Sequence, residues 1–235
     1  MEMLVDLQNR KEKYGYDNKS ESYFNAEQNA IVAKNAEMYY RALMRGGSIS
    51  WNIRDYHMAE ALQKLVKFHG KGAKSIIWAH NMHIGDARAT SMTRAGMINI
   101  GQLVREWAGS KQTVLVGFGT HRGSVIAARE WGEPMERMLV PPAAEGSWDD
   151  LIWRLAGKNS LLIFPDAGIP AVTMGQRAIG VVYDPEYEKY GNYVDTVLPS
   201  RYDAFIHVGE THALHPLHMR VSPDEELPET FPSGL

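Results

Sequence analysis

Ser75-Ile76-Ile77-Trp78-Ala79 runs directly into His80-Asn81-Met82-His83-Ile84-Gly85-Asp86, and this stretch decides both the fold and the site that the sequence predicts. A short apolar run after a glycine-rich turn is typical of a buried strand. In α/β sheets, ligands bind beyond the carboxyl ends of the parallel strands. Because histidine titrates near neutral pH, we predict that any chemistry centres on His80 and His83. The alternative is a loop whose histidines bond only to backbone carbonyls.

The surrounding pattern predicts an α/β fold with a central mixed, partly parallel sheet flanked by helices. Residues 113–118 form a second predicted buried strand, and a predicted helix over 97–107 separates it from 75–79, which makes a βαβ unit. Further helices are predicted over 22–45, over 54–68 and after an N-cap at Ser147. Shorter strands are predicted over 124–128, 137–140, 161–164, 178–183 and 204–208. We predict one domain over 21–218, a polar lead-in over 1–20 and a tail over 219–235.

Composition narrows the classes of function. The chain has 235 residues, a formal net charge of -3 and no basic stripe, which argues against nucleic acid and membrane partners and favours a small-molecule substrate. It has no cysteine, so disulfides, thiolate metal sites and a cysteine nucleophile are excluded. No signal peptide is readable after Met1, and no apolar run approaches the roughly 20 residues that span a bilayer. These features predict a cytoplasmic protein.

Two further groups of polar residues are candidates for the rim of the predicted site, which is the edge of the sheet where His80 and His83 are expected to lie. Gly119-Thr120-His121-Arg122-Gly123 follows the second predicted strand, and if the two strands are neighbours these side chains join the histidines. The alternative is a tight turn with an exposed His–Arg pair. At the predicted start of the helix over 54–68, Asn52 is a candidate N-cap and Asp55 suits the first turn. Arg54 matters to the site only if it points at the histidines.

The sequence gives little support to cofactor or metal chemistry. His207, His212, His215 and His218 have a spacing that would place ligands on one face of a helix, but Pro216 argues against that helix. The glycines between residues 117 and 123 do not have the spacing of a dinucleotide fingerprint. Ser147 lacks the Gly-x-Ser-x-Gly setting of a nucleophile elbow. We therefore predict neither a cofactor nor a metal.

Six motifs make the chain resemble the erythromycin esterase family, in the branch often called erythromycin esterase-like or succinoglycan-biosynthesis-like. In chain order they are Asn52-Ile53-Arg54-Asp55, Trp78-Ala79-His80-Asn81-Met82-His83-Ile84-Gly85-Asp86-Ala87-Arg88, Gly117-Phe118-Gly119-Thr120-His121-Arg122-Gly123, Arg177-Ala178-Ile179-Gly180-Val181-Val182-Tyr183-Asp184-Pro185, Gly191-Asn192-Tyr193-Val194 and Arg201-Tyr202-Asp203-Ala204-Phe205. The resemblance implies an α/β fold with a deep cleft, in which a histidine-activated water hydrolyses a macrolide lactone. It implies that His80 and His83 are the paired histidines of that cleft and that Arg54 is its arginine.

The chain also departs from the family pattern. Members are about twice as long, and their first half carries a Leu-Gly-Glu-x-x-His-Gly motif that supplies the presumed general base and a glutamate partner. No such motif precedes Trp51, so the chain resembles the C-terminal half of the family. A fragment, a half carried by a separate chain and a truncated inactive relative are the three explanations. Ser91 and His212 stand where an Asp and an Arg are expected.

These observations predict a hydrolase of the erythromycin-esterase type that cleaves an ester or macrolide lactone with activated water, as a truncated or partial unit. His80 and His83 would position the substrate, move a proton or stabilise the oxyanion, while Arg54 would orient a carboxylate from outside the chain. The predicted substrate-binding residues are Asn81, Asp86, Arg88, Thr120, His121 and Arg122. The rival from another class is a non-catalytic binding or partner module, and a weaker rival is a metal hydrolase. A half-domain exposes a large apolar face, so we predict association with a missing N-terminal half or a homo-oligomer.

Overall fold

The computed structural model describes residues 5–6, 9–10, 21–164 and 166–215. The predicted tail over 219–235 and most of the predicted lead-in therefore lie outside the described residues. From residue 21 onward the α-helices are α1 (Glu21–Leu43), α2 (Ser48–His69), α3 (Asn81–Ile84), α4 (Ile100–Ala108), α5 (Trp148–Ala156), α6 (Glu188–Gly191) and α7 (Leu198–Arg201). The strands are β1 (Val116–Ala127), β2 (Glu136–Val140), β3 (Ser160–Ile163), β4 (Thr173–Arg177), β5 (Tyr193–Val197) and β6 (Ala204–Thr211).

A four-stranded mixed sheet with the order β2-β1-β6-β3 forms the centre of the fold. β1 and β6 are parallel, with Val116 opposite Ala204 and Gly123 opposite Thr211. The outer pairs, β1 with β2 and β3 with β6, are antiparallel. β4 and β5 form a separate antiparallel ribbon. The predicted fold class, a mixed and partly parallel sheet flanked by helices, is confirmed.

The predicted strand over 75–79 is wrong. Its backbone forms no hydrogen bond to any described residue, and Ile76 and Trp78 are 96% and 87% exposed. An apolar run becomes a strand only when another strand pairs with it, and none of the described strands lies in register beside this segment. The predicted βαβ unit is therefore absent from the described residues, and the parallel pair is β1 with β6 instead.

The predicted end of the strand at residue 118 is also wrong, as is the alternative of a tight turn there, because β1 continues without interruption to Ala127. β6 pairs with β1 from Val116 to Gly123, and this long partner keeps the chain extended through the glycines. Thr120, His121 and Arg122 thus lie in a strand, where successive side chains point to opposite faces of the sheet. They cannot all line one rim.

Two other element predictions differ from the structure. The strand predicted over 178–183 is replaced by β4, which ends at Arg177, and β5 was not predicted. Residues 178–183 instead meet the end of β1 through a single bridge between Ala128 and Val182. Helix α2 begins at Ser48, well before residue 54, so Asn52 lies inside the helix. Its amide group bonds Gly96 O and Ile98 N and caps nothing.

Helix α5 packs on one face of the sheet and holds the main core. Ser147 caps it as predicted, since its hydroxyl accepts from Asp150 N. The fully buried members of this core are Trp148, Leu198, Tyr202 and Phe205. The helix approaches β6 so closely that a Cβ on Gly209 would stand 2.1 Å from the Trp153 ring. Only a glycine permits this contact between helix and sheet.

Candidate active site

His80 begins the candidate site as the N-cap of the short helix α3. Its Nδ1 accepts a hydrogen bond from Met82 N at 3.3 Å, so the proton of the neutral ring is on Nε2, which donates to Ile179 O at 2.9 Å. Burial of these ring nitrogens is the main cause that lowers the pKa of His80 below its usual value. Since both nitrogens are engaged, His80 joins α3 to the segment at Ile179.

His83 lies one turn further along and faces helix α2. Its Nδ1 is 3.0 Å from both carboxylate oxygens of Asp55, whose side chain is fully buried. The imidazole stacks on the Trp51 ring with 4.4 Å between centroids and 4° between planes. The carboxylate and the indole together fix both the position and the tilt of the ring.

Arg54 completes this group from the same helix. Its Nη2 is 3.4 Å from Nε2 of His83, and its guanidinium lies over the rings of Trp51 and Tyr39 at 5.3 and 5.9 Å. A guanidinium can only donate hydrogen bonds, so Nε2 must offer its lone pair. Arg54 therefore points at His83, which is the arrangement that would make it part of the site.

Asn81 ties α3 to the central sheet. Its side-chain amide donates to Phe118 O and accepts from Phe118 N at 3.1 Å, as the backbone of a neighbouring strand would. Its own carbonyl accepts from Arg201 Nη2 at 3.1 Å. Arg201 is almost fully buried, and burial is the main cause that lowers its pKa. The histidines therefore stand on a helix that is anchored from two sides.

A cleft of about 430 Å³ opens between α3, the sheet and the chain after β6. Three predicted site residues, His80, Asn81 and Thr120, line it. The remaining lining is largely apolar, with Phe118, Ile179, Val208 and Leu214 among its members. Arg177 also lines the cleft, but its guanidinium is buried against Glu188 at 2.7 Å and holds the carbonyls of Thr120 and His121. It therefore stabilises the cleft wall.

The other predicted substrate-binding residues are placed elsewhere and paired within the protein. Asp86 is buried and bonds Arg88 at 2.7 Å and Arg105 at 3.3 Å. Burial by itself raises the pKa of Asp86, but the bonds from Arg88 and Arg105 lower it below its usual value. On β1, Arg122 forms an exposed ion pair with Glu210 at 3.0 Å. The assignment of these residues to a substrate stays a prediction.

His121 points to the opposite face of the sheet from Thr120. Its ring stacks on Trp153 of α5 with 5.2 Å between centroids. Burial, followed by the charges of Arg177 and Arg122, lowers its pKa. The structure thus separates His121 from His80 and His83, which the sequence had placed on one rim.

Two members of the site, Asp55 and Trp51, did not follow from the sequence. Asp55 was interpreted as a first-turn acid that complements the helix dipole, because the helix was predicted to begin too late. With α2 starting at Ser48, Trp51, Arg54 and Asp55 have the three- and four-residue spacings that place side chains on one helix face. That spacing, next to a motif with two histidines, is the signal that could have identified them.

The histidines near the end of the chain do not form a metal site among the described residues. His207 is fully buried on β6, while His212 and His215 follow the strand. His218 lies outside the described residues. No group of three or more His, Asp or Glu side chains in the described part of the chain is arranged to hold a metal ion.

Comparison with known proteins identifies the family. The family model for erythromycin esterase matches residues 1–211. The chain belongs to the erythromycin esterase family. Its fold is also similar to those of several solved structures. A protein from Bacillus cereus has a TM-score of 0.70 at 15% identity, with 89% of this chain and 52% of that one covered.

Two further solved structures share the erythromycin esterase-like fold. A succinoglycan biosynthesis protein has a TM-score of 0.59 at 17% identity, with 93% of this chain and 59% of that one covered. A histidine-to-asparagine variant of the erythromycin esterase EreC, in its open conformation, has a TM-score of 0.52 at 19% identity, with coverages of 80% and 44%. The chain thus spans about half the length of these structures. Within the described residues, no helix has the length and apolarity to cross a bilayer.

Proposed function

We propose that this chain is a hydrolase of carboxylic esters or macrolide lactones that uses water activated at His83, a role that the family resemblance had assigned to the histidine of the Leu-Gly-Glu-x-x-His-Gly motif. Family membership supports a hydrolase, and one observation carries the site assignment: the buried Asp55 carboxylate holds Nδ1 of His83, so that the opposite nitrogen is a base. A neutral imidazole with a carboxylate behind it is a recurrent device for taking a proton from a nucleophile.

The proposed reaction assigns a role to each member of the group. Nε2 of His83 takes a proton from water, whose oxygen forms a bond with the carbonyl carbon of the ester. Arg54 turns from Nε2, where its contact of 3.4 Å is long, and stabilises the negative charge on the carbonyl oxygen. When the tetrahedral intermediate collapses, the C–O bond to the alcohol breaks, and the imidazolium returns the proton to the leaving oxygen. His80 and Asn81 hold α3 and line the neighbouring cleft, whereas His83 and Arg54 are not among its lining residues. The substrate would therefore extend from that cleft to His83, one turn further along α3.

The experiment measures hydrolysis of a p-nitrophenyl ester and of a macrolide lactone, the latter by the mass gain of one water. We expect His83→Ala to lower kcat/KM by about 10²- to 10⁴-fold, the usual contribution of a general base. His69→Ala is the matched control, because His69 is an exposed histidine at the end of the helix that carries Arg54. If the unmodified chain hydrolyses neither substrate, the proposal of a self-sufficient hydrolase is wrong.

The second candidate function is a binding or partner module. The observation that favours it is that both ring nitrogens of His80 and of His83 have partners within the protein in this conformation. The test is titration of the chain with the same macrolide: binding without hydrolysis favours this candidate. The predicted small-molecule substrate, the cytoplasmic location and the absence of nucleic acid and membrane partners stay predictions.

A further inference from the structure

We propose that Asp55 is a positioning residue that fixes His83 in the tautomer with its proton on Nδ1 and its lone pair on Nε2. The catalytic consequence of this inference rests on the proposed function, but the tautomer itself is a property of the resting protein. Asp55 would not touch the substrate. It would act only through the histidine.

The environment of Asp55 makes its carboxylate a hydrogen-bond acceptor for His83. The side chain is fully buried, and each of its oxygens is 3.0 Å from Nδ1. Its Oδ1 also accepts from Ile100 N at 2.9 Å, which is the first backbone N–H of helix α4. The positive end of that helix favours the ionised carboxylate. An ionised carboxylate only accepts hydrogen bonds, so Nδ1 must be the protonated nitrogen.

The opposite edge of the ring gives the same assignment independently. Arg54 Nη2 faces Nε2 at 3.4 Å and can only donate, which places the lone pair on Nε2. The Trp51 ring, stacked at 4.4 Å, keeps the imidazole plane in the orientation that these two contacts need. A ring turned over by 180° would place carbon atoms against both the carboxylate and the guanidinium.

The assignment has a direct effect on the proposed reaction. Only the tautomer with a lone pair on Nε2 can take a proton from water on the Arg54 side of the ring. After that transfer, the imidazolium keeps its Nδ1–H bonded to Asp55, which stays ionised and stabilises the new positive charge. An asparagine at position 55 could donate its amide hydrogen to Nδ1 and would then favour the unreactive tautomer.

Nuclear magnetic resonance of the ¹⁵N-labelled full chain tests the inference. We expect the unmodified protein to show a protonated Nδ1 and an unprotonated Nε2 for His83 at neutral pH. In Asp55→Asn we expect the Nε2–H tautomer to appear, with kcat for ester hydrolysis lowered at least about 100-fold and KM little changed. In Asp55→Glu, which keeps a carboxylate, Nδ1–H should persist. Asp149→Asn, a change at an equally buried carboxylate, should leave the His83 tautomer unaltered.

The outcomes separate this inference from the proposed function. A protonated Nε2 in the unmodified chain, or an unchanged tautomer in Asp55→Asn, would overturn it. A tautomer that changes as expected in a chain without any hydrolytic activity supports the inference and contradicts the proposed function. If Asp55→Asn does not fold, the unmodified chain and Asp55→Glu still decide the assignment, because the latter must retain Nδ1–H.

Discussion

His207 is a buried side chain whose polar atoms have no partners. It lies on β6 with no exposed surface, and neither ring nitrogen forms a hydrogen bond of normal geometry with any described residue, although the backbone of Asp149 lies close enough to interact weakly with the ring. Burial, followed by the charge of His121, lowers its pKa to about 4. A buried polar atom without a partner costs about 1–3 kcal/mol, so the histidine is expected to limit the stability of the fold.

Replacing His207 by leucine tests this cost. In the unfolded chain the imidazole binds a proton below its usual pKa near 6.5, whereas in the folded chain it stays neutral down to about 4. The folded chain therefore loses stability as the pH falls from about 6.5 to 4, because over this range the imidazole binds a proton only after unfolding. We expect His207→Leu to be more stable than the unmodified chain by about 1 kcal/mol at pH 7, and by more at pH 5. Urea unfolding at both pH values measures the difference in the free energy of unfolding between the two proteins. An equal difference at pH 7 and pH 5 would contradict the lowered pKa of His207.

Asp149 gives the matched control, since its shift has the opposite sign. It is fully buried, and burial raises its pKa to about 6. A carboxyl with a raised pKa destabilises the fold progressively as the pH rises from about 4 to 6. The advantage of Asp149→Asn over the unmodified chain should therefore shrink as the pH falls through this range, whereas that of His207→Leu grows.

At this scale the sequence pointed to individual residues but not to their hydrogen-bond partners. His80, His83 and Arg54 followed from a motif, and the structure places Arg54 against His83. Asp55 is only one residue from Arg54, yet its role depends on where α2 begins and on how α4 meets it. Hydrogen-bond partners far apart in sequence cannot be deduced from local pattern.

At the scale of elements, the contact between α5 and the sheet depends on glycines. On β6, a Cβ at position 209 would stand 2.1 Å from the ring of Trp153, and on β1 a Cβ at position 119 would stand 2.4 Å from Asp149. Packed cores do not open by that much without shifting the backbone. The glycines in these strands therefore set the distance between helix and sheet.

We expect Gly209→Ala to destabilise the protein by about 1–3 kcal/mol, the usual cost of overpacking a core. Gly191→Ala is the control, because nothing lies within 4 Å of a Cβ there and its backbone φ is not positive. Thermal unfolding of the two variants against the unmodified chain measures the effect. Equal melting temperatures for Gly209→Ala and Gly191→Ala would show that α5 can move away from β6 at no cost.

Elements with a local signal were predicted better than those that depend on a distant partner. Helix α5 was predicted from its Ser147 cap, and β6 from its apolar run. β5 was missed, since it is a strand only through its pairing with β4. The run over 75–79 has the composition of a strand, but composition does not supply the neighbour that a strand needs.

At the scale of the whole molecule, the segment over 74–79 has the composition of a buried strand but lies exposed and unpaired. It forms neither helix nor strand, its backbone has no hydrogen-bond partner among the described residues, and it exposes Ile76 and Trp78. The rings of Trp78 and Phe118 have 5.9 Å between centroids and 50° between planes, and Phe118 is itself 43% exposed. An unpaired apolar segment of this kind is a template for pairing with another strand.

In the isolated chain, a second copy is the available partner, and we therefore expect association that depends on concentration. Ile76→Lys should reduce it, because a charged side chain on an unpaired strand opposes edge-to-edge pairing. Leu155→Lys is the control: Leu155 is 77% exposed on helix α5, but single exposed apolar residues are ordinary on protein surfaces. Sedimentation velocity over a range of concentrations measures the association of all three proteins. A monodisperse monomer for the unmodified chain, or an equal effect of the two substitutions, would show that the segment over 74–79 does not drive association.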